Sequence, residues 1–241
     1  MEIASTNPDS GFGQFRSLIS AHQYWKLYRT AIEEIQSESE VLDWGSGNGH
    51  FAFFLTRFGC DTTGYFFEDV DMTNSAVLAE TAGFVRKQAA ADDPVSLPFE
   101  DERFDTVFSV GVLEHVRETG GSETESLKEI TRILKPGGKF ICYHLPNKYS
   151  IIEALSSFIP GIHSHRYCYT EALIQQLCTN AGLELCRSAR YGILPRNVWS
   201  VFPAKIRYSK FLTNCWNILD DCLSFLLSPL CQNFLFVAIR K

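Results

Sequence analysis

Nothing in this chain restricts its fold more than Val41-Leu42-Asp43-Trp44-Gly45-Ser46-Gly47-Asn48-Gly49, where an apolar run meets an acid and then glycine at every second position. The run reads as a buried strand. The glycines read as a turn whose backbone takes φ > 0 and lets a ligand come close, because glycine alone combines that freedom with the absence of a side chain. The spacing narrows the choice of ligand. Dinucleotide turns follow G-x-G-x-x-G and P-loops follow G-x-x-x-x-G-K-[ST], whereas the pattern here is G-x-G-x-G with no lysine between Lys26 and Lys87. A P-loop is excluded, and a nicotinamide nucleotide needs a spacing that this turn lacks.

The rest of the chain alternates strand and helix signals. Residues 14–35 read as one helix carrying Tyr24, Trp25 and Tyr28, either packed on a sheet or covering a ligand. Helix is expected at 50–57, 70–82, 123–134 and 170–181, and strand at 61–67, 84–89, 105–110, 139–144, from Leu183 and at 233–239. Pro136-Gly137-Gly138 is expected to end one helix and turn the chain into the next strand. This order implies an α/β fold: a doubly wound, mainly parallel, seven-stranded Rossmann-like sheet with helices on both faces. Residues 1–13 read as a flexible N-terminus, 14–241 as one domain with a core at about 38–145, and 146–168 and 190–230 as insertions.

Four blocks carry a resemblance: the glycine turn, Leu97-Pro98-Phe99 with Phe104-Asp105-Thr106-Val107, Val112-Leu113-Glu114-His115-Val116, and the run from Ile130 to Gly138. In this order and spacing, over about residues 38–186, the chain resembles the class I S-adenosylmethionine-dependent methyltransferases. The resemblance implies S-adenosyl-L-methionine as cofactor, with Asp43 complementary to its cationic methionine end and Gly45, Ser46, Gly47 and Gly49 letting main chain approach it. The family's ribose acid falls on Phe66 here, a departure. Glu68, two residues on and on the same strand face, is the replacement, with Asp69 the alternative. Asp92 or Asp93 is expected at the adenine, and Val110, Gly111 and Glu114 beside the cofactor. Methyl transfer demands alignment above all, and a base is optional. His144 at the end of the fifth strand is the first candidate base, with His165 and His163 next, while His115 reads as structural or catalytic.

Composition limits the partners. A net charge of −6 disfavours a grip on phosphate backbones, so no nucleic acid is expected. The eight cysteines form no C-x-x-C pair and no leader precedes them, so no metal, reduced thiols and a cytoplasmic setting are expected. Residues 222–239 are uncharged, but Pro229 and the polar Ser228, Gln232 and Asn233 argue for a buried helix followed by a final strand; membrane contact through a helical hairpin is the alternative. The expected activity is methyl transfer to oxygen or nitrogen of a small, partly apolar molecule. A cofactor-binding partner protein without turnover is the alternative.

Overall fold

The computed structural model describes residues 12, 15, 17–67, 73–89, 93–156 and 165–241. Its elements run α1 (Leu18–His22), α2 (Trp25–Glu34), β1 (Glu40–Trp44), α3 (His50–Phe58), β2 (Asp61–Phe66), α4 (Thr73–Ala82), β3 (Val85–Gln88), β4 (Phe104–Val110), α5 (Glu123–Ile133), β5 (Leu134–Pro146), α6 (Ile151–Ser156), α7 (Glu171–Asn180), β6 (Leu183–Tyr191), α8 (Ala204–Arg207), α9 (Lys210–Leu226) and β7 (Asn233–Arg240).

The seven strands form one sheet in the order β3-β2-β1-β4-β5-β7-β6, parallel except for β7, which runs antiparallel to both neighbours. Alternation along the strands divides the core in two. Leu42, Phe140 and Cys142 pack with α5 and α7 on one face, while Val41, Ile141 and Tyr143 pack with α2 and α3 on the other. Helix α5 shows the local logic. Ser122 caps it by accepting the Glu125 amide, and Leu127, Ile130 and Ile133, on one stripe, are fully buried. After β1 the chain winds outward to β2 and β3, then crosses back to place β4 on the other side of β1. The crevice beyond the carboxyl ends of β1 and β4 is therefore the switch point where such sheets bind ligands.

Three expectations need correction. The helix expected at 14–35 is two helices, α1 and α2, broken at Gln23 and Tyr24, where the Gln23 carbonyl accepts the Tyr143 hydroxyl at 2.5 Å. Strand β5 begins at Leu134 rather than Lys139, because the chain leaves α5 directly into extended backbone and Leu134 pairs with Phe104. The third concerns the buried helix before the last strand. The inward face of α9 is polar, with Thr213, Asp220 and Ser224 buried, while Phe211, Ile218, Phe225 and Leu226 are exposed. Asp220 explains the inversion: its carboxylate accepts the amides of Ile193 and Leu194, each at 2.8 Å, and pairs with Arg196 at 2.7 Å, tying the loop after β6 to the helix. No helix among the described residues is long and apolar enough to cross a membrane.

Candidate cofactor and acceptor site

The glycine turn follows β1 and is pinned to β2, since the amides of Gly45 and Ser46 both donate to the Tyr65 carbonyl, at 2.9 and 2.7 Å. Its glycines serve different ends. At Gly45 (φ 79°) a Cβ would stand 2.2 Å from Cγ2 of Val112, so the position is closed by packing as well as by its dihedral. Gly49 (φ 77°) caps α3 and is hemmed in by Ser75 and Phe84. At Gly47 (φ 46°) the nearest neighbour of a Cβ is the Gly45 carbonyl oxygen at 3.9 Å, so this glycine borders open space at the α3 N-terminus. A bare backbone facing a helix N-terminus suits a carboxylate-bearing ligand.

Asp43, near the end of β1, is 1% exposed, and its Oδ2 has no partner among the described residues. Burial pushes its carboxyl up to about 7, against a backbone hydrogen bond from Ala52 that pulls the other way. A buried carboxylate in this state is complementary to a cation, because a charge without water or a partner is costly. Ser46 is also buried, with Oγ lacking a partner among the described residues.

Phe66 ends β2 as a buried residue, while Glu68, Asp69, Asp92 and His163 lie outside the described residues. Asp93 accepts the amides of Val95 and Ser96, at 3.0 and 2.9 Å, and the hydrogen bonds from Ser96 and Val95 hold its carboxyl below the ordinary range. Its carboxylate is engaged in fixing this turn.

Gly111 follows Val110, the last residue of β4, with φ 69°, and its amide donates to the Tyr143 carbonyl at 2.9 Å. A Cβ there would lie 3.7 Å from Oε1 of Glu114 and 4.0 Å from Cβ of His144, so both side chains stand close to Gly111. His144 sits where the β5 to β7 register shifts and holds φ 68°. Left-handed backbone at a residue other than glycine costs about 1–3 kcal/mol and survives where surroundings enforce it. Tyr191 is the enforcer: its hydroxyl accepts the His144 amide at 3.0 Å and bonds to Nδ1 at 2.9 Å. Burial first, then His50, Arg196 and His165, lowers the imidazole to about 3, so His144 is neutral at physiological pH and a weak base in the ligand-free chain. Tyr24 contacts its ring at 5.3 Å and that of His50 at 4.5 Å. Tyr28 packs on α3 through Phe54 and Phe51 and bonds His50 Nδ1 at 3.0 Å. Tyr24 therefore packs against His50 and His144, and Tyr28 packs in the core against α3.

The other two candidate histidines meet Glu114. Ligand atoms of Glu114, His115 and His165 lie within 4.8 Å of one another. Glu114 is 3% exposed and its Oε2 has no partner among the described residues; burial raises its carboxyl to about 7. Nδ1 of His115 bonds to Glu118 at 2.8 Å, and Nδ1 of His165 to Glu153 at 2.9 Å. The bond to Glu153 raises His165. Sequence reasoning named all three residues separately but missed their meeting, and it missed Glu153 and Tyr191, which no local motif marks.

A cavity of about 440 Å³ lies apart from the glycine turn, between α1, α2 and α9, lined by His22, Trp25, Lys26, Tyr191, Arg196 and Ile218 among others. Tyr191 is its link to His144.

Residues 42–142 match the family model described as a methyltransferase domain. A sterol 24-C-methyltransferase of Schizosaccharomyces pombe is 33% identical over 131 residues, which cover 54% of this chain and 33% of that protein. A tRNA (carboxymethyluridine(34)-5-O)-methyltransferase of Arabidopsis thaliana is 28% identical over 120 residues, 47% of this chain and 26% of its own length. Among solved structures, an S-adenosylmethionine-dependent methyltransferase of Methanosarcina mazei shares the fold, with a TM-score of 0.60 at 16% identity over 88% of this chain and 96% of that one. The chain spans about half, or less, of the length of the curated relatives it matches.

Proposed function

From the class I S-adenosylmethionine-dependent methyltransferase domain that this chain carries, we propose that the protein transfers a methyl group to an oxygen or nitrogen of a small, partly apolar molecule. One observation supports the cofactor assignment most strongly: a buried Asp43 with an orphaned oxygen beside a turn whose Gly47 opens on space. S-adenosylmethionine supplies an electrophilic methyl group on a sulfonium, together with an ammonium and a carboxylate. Asp43 would hold the cationic end, and the Gly45–Gly49 backbone and the α3 N-terminus would face the carboxylate. Glu68 and one of Asp92 and Asp93 remain the proposed ribose and adenine acids. Val110 and Gly111 would border the cofactor, with Glu114, His144 and the aromatic Tyr24 around the acceptor.

The acceptor assignment rests on the aromatic rings of Tyr24 and Tyr191 beside His144 and on the net charge of −6. His144, His165 and His115 are the proposed groups for any proton the acceptor must lose. A cytoplasmic setting fits the eight free cysteines. The test is incubation with methyl-labelled S-adenosylmethionine against hydroxylated and amine small molecules, with bulk tRNA in parallel. Label in a small-molecule product supports the proposal. Label in tRNA alone redirects the acceptor, and cofactor binding without any labelled product supports a non-catalytic partner.

A further inference from the structure

We propose that Glu114, His115 and His165 form a binding site for one divalent transition-metal ion of the zinc type. Two imidazoles and a carboxylate are a donor set that suits such an ion and leaves coordination positions open. Their ligand atoms already lie within 4.8 Å of one another. Donors at about 2.1 Å from one tetrahedral ion stand about 3.4 Å apart, so rotations of the partly exposed His115 and His165 rings that bring the donor atoms somewhat more than about 1 Å closer close the set.

Two independent observations point to a cation. The first is Glu114, a 3% exposed carboxylate whose Oε2 has no partner among the described residues and which belongs to this cluster. The second is the shell behind the histidines. Each ring places Nδ1 on a carboxylate, Glu118 for His115 and Glu153 for His165, the arrangement that in metal sites orients imidazole and raises the basicity of Nε2. Glu153 also accepts the His165 amide at 3.0 Å, which fixes the residue at both ends. Three carboxylates therefore surround the two rings, while the neighbouring Arg117 is taken up by Glu123 at 2.5 Å. The local charge favours a dication.

The position gives the ion a use. Oε1 of Glu114 and Cβ of His144 both stand within about 4 Å of the Gly111 Cβ position just past β4, so an ion on Glu114 would lie near the carboxyl ends of the strands where the cofactor and acceptor are proposed. That part rests on the methyl-transfer reading and gives His115 and His165 the role of ligands in place of that of bases: a bound dication would polarise an acceptor oxygen and ease loss of its proton, leaving His144 as the histidine free to receive it. The site would replace the metal-free expectation drawn from the cysteine pattern, which looks only for C-x-x-C spacing and cannot see donors fifty residues apart.

The experiment is titration of the chelator-treated full chain with Co²⁺, followed by Zn²⁺ competition, read by visible ligand-field absorption. One equivalent of Co²⁺ giving a visible band that Zn²⁺ displaces is expected. Glu114→Gln and His165→Ala should each weaken binding at least tenfold. Glu153→Gln, which keeps all three donors, should weaken it by about 10- to 100-fold. Circular dichroism checks folding, and if His165→Ala does not fold, His115→Ala at the solvent-facing edge of the cluster takes its place. Absence of a band, or equal affinity in wild type and folded donor variants, overturns the site. The thermal response to S-adenosylmethionine, measured on the same samples, reports separately on the methyl-transfer reading.

Discussion

Replacing Asp43 by Asn should move stability and cofactor affinity in opposite directions. In the ligand-free chain the Asp43 carboxyl sits at about 7 against an ordinary 3.8, because burial disfavours its charge. A gap of about three pH units at about 1.36 kcal/mol each means that ionised Asp43 costs folding roughly 4 kcal/mol above pH 7. Since the folded value is raised, the native state holds the extra proton, and stability falls as pH rises from about 4 to 7 and then levels off. Asparagine removes the charge but still buries an amide, at about 1–3 kcal/mol, so a net gain of about 1–3 kcal/mol at pH 8 is expected. Cofactor binding loses a charge-assisted hydrogen bond worth about 1.5–3 kcal/mol, or roughly 10- to 150-fold in Kd. At a concentration a hundredfold above the wild-type Kd, S-adenosylmethionine stabilises wild type by about 2.7 kcal/mol, which raises Tm by about 5–10 °C. In a variant bound a hundredfold more weakly, the same concentration gives about 0.4 kcal/mol and a shift under about 2 °C. Urea denaturation and thermal melts, with and without cofactor, measure both quantities. A folded Asp43→Asn protein that is less stable at pH 8, or that keeps the full cofactor shift, refutes the reasoning.

Further predictions address the surroundings. Gly45→Ala drives a Cβ into Val112 at 2.2 Å at a left-handed residue and should cost about 1–3 kcal/mol in urea denaturation. Gly47→Ala meets nothing closer than 3.9 Å, so it should cost less in folding than Gly45→Ala yet weaken cofactor binding at least tenfold by calorimetry. Tyr191→Phe strips the hydroxyl from the His144 amide and Nδ1 and should destabilise by about 1–3 kcal/mol, with altered histidine resonances in NMR. His50 and His144 are lowered to about 4 and 3, chiefly by burial, so the unfolded chain binds more protons below about pH 6.5 and stability should fall with acid from there. Between pH 4 and 6.5 that slope opposes the one from Asp43, and the Asp43→Asn variant should therefore lose stability with acid more steeply than wild type.

The fold was legible because each element declares itself over a few residues. The glycine turn, the Leu127, Ile130 and Ile133 stripe and the closing strand at 233–239 need only local periodicity. What escaped depended on distant partners. Nothing near Gln23 announces that Tyr143, 120 residues away, will take its carbonyl and break the first helix. Nothing in 210–226 announces that Asp220 is wanted inside for the amides of Ile193 and Leu194, which turns the apolar side chains outward. The candidate site divides the same way. Asp43 and its glycines are contiguous and were named, whereas Glu114 and His165 meet only through the packing of the segment after β5 against the β4 crevice.

The most direct test of the central claim is a crystal structure of the chain with S-adenosylhomocysteine. The account predicts density along the Gly45–Gly49 backbone, with the ligand's ammonium on Asp43 and its sulfur turned towards Gly111 at the end of β4. A bare turn with the ligand in the 440 Å³ cavity between α1, α2 and α9 would contradict it.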